Sequence, residues 1–221
     1  MKDAVGRFFR NGYPLIFAFV FLIYPGIAAL APVFASKGHL SAARVIYQVF
    51  GLFCHQLPYR SFFLFGKAAC YPLESAGIKN ALSFEEMIGS SGQSLRELKQ
   101  FIGNETMGWK MAVCQRDVAI ALSMFLFCVL FFFLKDRIKK ISLPAWLLLA
   151  ILPMGLDGGT QVISRVIHCF PLRESTPFLR CLTGFLFGFF TCAFILPRLE
   201  AELKETDRLE YEPCSAKNST D

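Results

Sequence analysis

The sequence predicts an all-α integral membrane protein, with about four transmembrane helices plus one re-entrant or interfacial helical segment. Three observations predict it. Of 221 residues, 54% are apolar and 18% charged, against about 45–50% and a quarter in an average soluble domain. Phenylalanine alone supplies 25 residues. Four stretches reach the roughly 20 mostly apolar residues needed to span about 30 Å of hydrocarbon. This balance argues against a soluble enzyme, a disordered chain or a nucleic-acid binder, despite a net charge of +6.

The first span runs from Tyr13 to Ala35 and contains no charge. Pro25 and Gly26 interrupt it, which a membrane helix tolerates. It is longer than the 7–15-residue core of a signal peptide, and no small-x-small cleavage site precedes a soluble domain. Val45 to Phe53 is apolar again, but Cys54 to Arg60 breaks the run before Phe62 to Phe65 resumes it. Two short helices around a polar break are expected there, with a fifth span as the competing reading. Lys67 to Lys110 is expected to be an outward soluble insert, with helices near Ser83 to Ile88 and Ser94 to Ile102.

The second span, Met111 to Leu134, carries Arg116 and Asp117 near its start. The third, Leu143 to Ile163, carries one acid, Asp157. The fourth, Pro177 to Leu196, opens with Arg180. The tail from Arg198 to Pro213 is rich in Glu, and Glu200 with Lys204 suits a solvated helix. Cys214 to Asp221 reads as disordered. The chain thus divides into 1–66 (first span and the polar-broken segment), 67–110 (insert), 111–197 (three spans) and 198–221 (tail).

Orientation follows from lysine and arginine in short loops. Lys2, Arg7 and Arg10 precede the first span, and Lys135, Arg137, Lys139 and Lys140 follow the second. Four spans place both groups on one side, the cytoplasm, with both termini. A fifth span would move the N-terminal basic residues outside.

Ionisable groups inside spans are costly and usually face a bundle interior or a water-filled cavity. With four spans they gather at one depth. Cys114, Arg116 and Asp117 open the second span at its outer end, and Asp157 lies towards the outer end of the third. Arg180 and Thr183 open the fourth, and Cys54, His55, Gln56 and Arg60 belong to the outer segment. Asp157, Gln161 and Arg165 share one helix face. Gly158 and Gly159 beside the acid either thin the helix for a neighbour or let it unwind. The stripe serves as glue between helices or lines a ligand cavity. Arg60, Arg116, Arg165, Arg173 and Arg180 outnumber Asp117, Asp157 and Glu174, and surplus arginine suits bidentate pairing with carboxylate or phosphate. Gly184 and Gly188 have the spacing for close helix packing.

Of eight cysteines, Cys128 and Cys192 lie in apolar parts of spans, and Cys214 lies in the tail. Cys54, Cys70, Cys114 and Cys169 fall outside, with Cys181 near that side. Four outer cysteines permit two disulfides in an oxidising compartment. Cys54-His55 and His168-Cys169 offer thiols and imidazoles of zinc-ligand type, but without the usual spacing. A redox pair of Cys54 and Cys114 would draw on His55 or Arg116 to lower a thiol pKa. All three readings stay open. No P-loop, G-x-G-x-x-G, G-x-S-x-G or H-E-x-x-H motif occurs.

Cys54-His55-Gln56-Leu57-Pro58-Tyr59-Arg60-Ser61-Phe62, Cys114-Gln115-Arg116-Asp117, Pro153 to Gln161 and Arg173-Glu174-Ser175-Thr176 with Arg180 and Thr183-Gly184 stand in this order. Together they resemble the motifs of a family of predicted membrane proteins, domain-of-unknown-function family 2085. The insert at Lys67 to Lys110 is longer than in many members, and Pro177 replaces a more usual asparagine-containing run. The resemblance implies a multi-pass protein of a prokaryotic inner membrane and names no reaction or cofactor.

The expected site is Cys54, His55, Gln56, Arg60, Cys114, Arg116, Asp117, Asp157, Gln161, Arg173 and Arg180. Cys54, His55 and Cys114 are its metal-ligand candidates. The expected partners are the lipid bilayer and a small anionic molecule or lipid headgroup, and no nucleic acid. Binding or transport of such a ligand is the leading expectation. A membrane-embedded enzyme using thiol or quinone redox, or lipid-directed acid–base chemistry, is the first alternative. A structural subunit is the second.

Overall fold

The computed structural model describes residues 2–89, 94–167 and 173–215, with side chains throughout these ranges except at 2–11, 165, 207 and 209–215. Arg165 as a side chain, the His168-Cys169 pair and most of the Cys214 to Asp221 segment therefore lie outside the described residues, as do the side chains of Lys2, Arg7 and Arg10. Among the described residues four helices are long and apolar enough to cross a membrane: Gly12–Ser36, Gln115–Leu134, Leu143–Ser164 and Pro177–Thr206.

The first belongs to α1 (Lys2–Ser36), which holds Pro14, Pro25 and Pro32 without ending. The second is α5 (Gln115–Leu134). The third joins α6 (Leu143–Trp146), a π-helical turn at Leu147–Ile151 and α7 (Leu152–Val166). Pro153 explains the wide turn: it has no N–H to donate to the preceding turn and its ring crowds that carbonyl. The fourth is the start of α8 (Pro177–Ser215). Phe19, Val20, Leu148, Leu156, Val162 and Phe178 are exposed on these helices. In water such surface would be an association hazard; in a bilayer it is the lipid face.

Two glycines fix how α5 and α8 meet. A Cβ at Gly188 would stand 2.2 Å from Ser123 Oγ and 2.5 Å from the Ile120 carbonyl oxygen. A Cβ at Gly184 would stand 2.7 Å from the Arg116 carbonyl oxygen. Backbones approach this closely only over small residues. Further along, Phe127, Cys128 and Phe131 of α5 pack with Cys192, Ala193 and Leu196 of α8 and Ala18 of α1.

The polar-broken segment differs from expectation in its second half. Its first half is α2 (Leu40–Phe50), 11 residues and hence about 16 Å long, too short to cross. The chain then passes through a 3-10 turn at Pro58–Arg60 into a strand, β1 (Ser61–Leu64), not a second helix. β1 pairs antiparallel with β3 (Gly108–Cys114), which also pairs with the short β2 (Gly103–Asn104). Gly108 closes the β2–β3 hairpin at φ +79°, where a Cβ would strike the Leu64 carbonyl oxygen at 2.3 Å. Asn104 Oδ1 accepts from the Thr106 and Met107 amides. Met111 to Cys114, expected at the head of the second span, is therefore strand. The boundary drawn between residues 110 and 111 falls inside β3.

The insert contains α3 (Phe84–Ile88) and α4 (Leu95–Gln100), each opened by a capping box, Ser83 with Glu86 and Ser94 with Glu97. β3 packs under α1 and α2, so that Met111, Ala112 and Val113 join Ala28, Ala31, Ala35 and Tyr47 in one core. Leu57, Tyr59, Phe63, Tyr71, Phe84 and Met107 form a second core beside it. At the opposite end of the bundle Glu200 is buried rather than solvated. It accepts from Tyr13 Oη at 3.1 Å and pairs with Lys135 at 3.3 Å, as well as with Lys204 at 3.5 Å.

Candidate functional site

At the end of the bundle that carries the sheet, the end of α1, the starts of α5 and α8 and the end of α7 converge. A cavity of about 180 Å³ opens there, lined by Phe53, Leu57 and nine of the eleven residues expected from the sequence: Cys54, His55, Gln56, Arg60, Cys114, Arg116, Asp117, Gln161 and Arg180.

The Cys54–Leu57 loop is held from beneath. Gln56 adopts φ +51°, an unusual conformation for a residue with a Cβ. Its Nε2 donates to the Tyr47 and Ala112 carbonyls, both at 2.8 Å. Its own carbonyl accepts from Lys110 Nζ at 2.7 Å. Gln56 is thus a brace whose polar end faces the protein rather than a ligand. Lys110 is fully buried, also donates to the Lys99 carbonyl at 3.1 Å and lies 5.8 Å from the Tyr47 ring centre. Burial pushes its amine down to about 7.

The brace sets Cys54 against Cys114, the residue that caps α5. The Cys54 and Cys114 sulfurs and an Asp117 carboxylate oxygen lie within 4.8 Å of one another. The hydrogen bond between the thiols holds Cys114 below the ordinary thiol range. The same bond, with burial, pushes Cys54 up. His55 is exposed on the same wall and is not among these converging donors. Both cysteines, with Cys70, Cys128, Cys181 and Cys192, form no disulfide among the described residues.

The opposite wall is ionic. Arg60 pairs with Glu174 at 2.8 Å and donates to Gln161 Oε1 at 3.3 Å. Arg180, at 3% exposure, pairs with the same Glu174. Its Nε and Nη1 are buried and have no hydrogen-bond partner among the described residues. Arg116 pairs with Asp157, passing Gly158, whose missing side chain leaves its Nη1 3.6 Å from where a Cβ would stand. Gly158 and Gly159 do not unwind the helix, because α7 continues unbroken, and a Cβ at Gly158 would make only an ordinary contact with Arg116. Thr183 turns back to the Leu179 and Arg180 carbonyls of its own helix.

Asp157 and Arg173 sit behind the cavity instead of lining it. Asp157, buried, accepts from Ser175 Oγ at 2.7 Å and from Arg116, with Arg173 at 3.6 Å. Arg173 is 44% exposed. Gln161 Nε2 donates one turn back to the Asp157 carbonyl at 2.9 Å. Glu174, Ser175 and Lys110 were missing from the sequence-derived site. Glu174 stands six residues before Arg180 and is legible as its partner, whereas Ser175 bonds Asp157 on α7, which no local spacing indicates. Nothing local marked Lys110, because its strand was unread.

The family described as predicted membrane protein (DUF2085) matches residues 105–194, a stretch that holds β3, α5, α7 and the start of α8. An uncharacterized protein of Methanocaldococcus jannaschii is 31% identical over 192 residues, covering 84% of this chain and 91% of the relative. No solved structure matches. An alignment of that reach extends from the family's matched stretch to the segment carrying Cys54. Four membrane-spanning helices closed at one end by an arginine-and-cysteine cavity are thus the form taken here by a member of the DUF2085 family of predicted membrane proteins.

Proposed function

We propose that the cavity binds a small anionic group, a phosphate or carboxylate, as a free ion or as the headgroup of a lipid. The observation that carries this is Arg180. Its guanidinium is buried, yet Nε and Nη1 find no acceptor among the described residues. Leaving buried charged donors unmade costs more than an ordinary hydrogen bond returns, so an acceptor beyond the described residues completes them, and a bound anion is the one proposed. Arg60, Arg116 and Arg180 on one wall supply the fork geometry that matches a phosphate or carboxylate.

Size narrows the ligand. At about 180 Å³ the cavity is below the roughly 300–1,000 Å³ of sites for drug-sized molecules. It takes an ionic group, not a whole metabolite. Asp117 also ends a second, mostly apolar groove of about 330 Å³ between α1 and α5, lined by Val20, Phe21, Tyr24, Ile120, Ala121 and Met124. An acyl chain in that groove would bring a headgroup to the polar cavity, which supports the lipid as one source.

Binding is tested on the detergent-purified chain with inorganic phosphate by calorimetry, and with nanodiscs containing or lacking phosphatidic acid. Arg180→Gln alone leaves Glu174 paired with Arg60 and takes one cation from the cluster, so the Glu174→Gln, Arg180→Gln pair is used because it keeps the net buried charge unchanged. The pair is expected to lower affinity at least about tenfold, the value of a lost charged hydrogen bond. Saturable binding of phosphate alone identifies a free anion, and binding that needs phosphatidic acid identifies a headgroup. Equal affinity in wild type and the paired variant rejects the reading.

A further inference from the structure

The cavity wall opposite the arginines carries a second chemistry. Three acidic side chains converge in one corner: Cys54, Cys114 and Asp117, their donor atoms all within 4.8 Å of one another. Cys114 caps α5 and Asp117 stands three residues on, so both project from the same face of its first turn. Cys54 arrives from the loop pinned by Gln56 and Lys110. We infer that these three residues bind a divalent metal ion, zinc by the softness of two thiolates, with a fourth position open to the cavity.

The geometry is close to what zinc requires. Zn–S bonds of about 2.3 Å and Zn–O bonds of about 2.0–2.2 Å in a tetrahedron set the donors roughly 3.5–3.8 Å apart. Rotation of three side chains closes the difference. The donor set excludes calcium and magnesium, which take oxygen ligands. Three protein ligands with an open position are the form of an exchangeable site, whereas a closed structural site has four.

Charge also favours a cation in this corner. Two thiolates and a carboxylate side by side repel one another when ionised. The arginines are directed elsewhere, Arg116 to Asp157 and Arg180 to Glu174. A divalent ion leaves the corner with a single net negative charge, facing the arginines across the cavity. The second close thiol pair, Cys128 with Cys192, has no carboxylate in reach of the same kind among the described residues and serves as the internal control.

The test uses the full chain, purified in detergent under reducing and anaerobic conditions and dialysed against zinc with a competing chelator. Bound metal is counted by mass spectrometry, and cobalt replaces zinc to give a spectrum. One zinc per chain is expected, with cobalt bands typical of a tetrahedral site with thiolate charge transfer. Cys114→Ser and Asp117→Asn lose the zinc, while Cys128→Ser keeps it. Asp117→Asn is nearly isosteric and retains the fold where a cysteine variant does not. Zinc uptake is read without any anion present, so the paired Glu174, Arg180 variant retains it even if phosphate binding fails. No zinc in the wild type, or zinc unchanged in Cys114→Ser and Asp117→Asn, overturns the inference. A Cys54–Cys114 disulfide trapped in freshly isolated membranes overturns it as well.

Discussion

Lys110 shows how much one buried side chain controls at this site. Its amine supports the Gln56 carbonyl, and Gln56 in turn supports the loop that carries Cys54 and His55. Burial lowers its pKa to about 7, from about 10.4 in an unfolded chain. Between those values the unfolded chain holds a proton that the folded one has released, so this group makes stability rise with pH from about 7 to about 10.4. Lys110→Met removes the titration. The difference in thermal unfolding midpoint, wild type minus variant, is expected to grow across that window when measured in detergent. A difference that stays flat with pH would show that the amine remains charged in the fold.

Among the elements, α5 and α8 form the frame on which the site depends. Gly184 lies against the Arg116 carbonyl and Gly188 against Ser123 and Ile120, so a methyl at either forces the helices apart. Overpacking of this kind costs about 1–3 kcal/mol. Gly188→Ala is expected to lower the unfolding midpoint without touching the cavity directly. Gly184→Ala should do the same and also shift Arg116 away from Asp157, reducing phosphate affinity as well. Equal binding in the two variants would separate the packing of α8 from the geometry of the arginines.

The elements also show where sequence reading stopped. The four spans were visible as apolar runs, and α3 and α4 as serine caps with a glutamate three residues on. The sheet was not. β3 is buried on most of its length, including Lys110, so it lacks the alternation of a half-exposed strand. β1 does alternate between buried and half-buried positions, but its four residues Ser61–Leu64, three of them apolar, are too few to tell a strand from the return of an apolar helix. The tail helix misled in the opposite way: Glu200 has a solvated sequence context and a buried position, because Tyr13 and Lys135 from two other elements close over it.

On the scale of the whole molecule, charge is sorted by the bundle. One end carries Lys135, Arg137, Lys139 and Lys140 between α5 and α6, and the other carries the sheet and the cavity. On the positive-inside rule we propose that the first end faces the cytoplasm and the cavity the outer leaflet. Lys79 and Lys139 are exposed at opposite ends. An impermeant maleimide is expected to label a Lys79→Cys protein in intact cells or spheroplasts, and a Lys139→Cys protein only after permeabilisation. The reverse pattern would turn the cavity to the cytoplasm.

Composition and apolar run length are enough to name the solvent this protein folds in, the number of its spans and the residue types that gather at one end. Apolar length and the cost of charge in hydrocarbon are local properties, and they are written along the chain. Tertiary structure decided what each polar residue faces. It turned Gln56 inward, set Asp157 and Arg173 behind the cavity and left two buried donors of Arg180 unanswered among the described residues. It also brought Asp117 to the two thiols in place of His55. Those outcomes depend on which side chains from distant segments arrive within a few ångströms of each other, and no spacing within one segment contains that information.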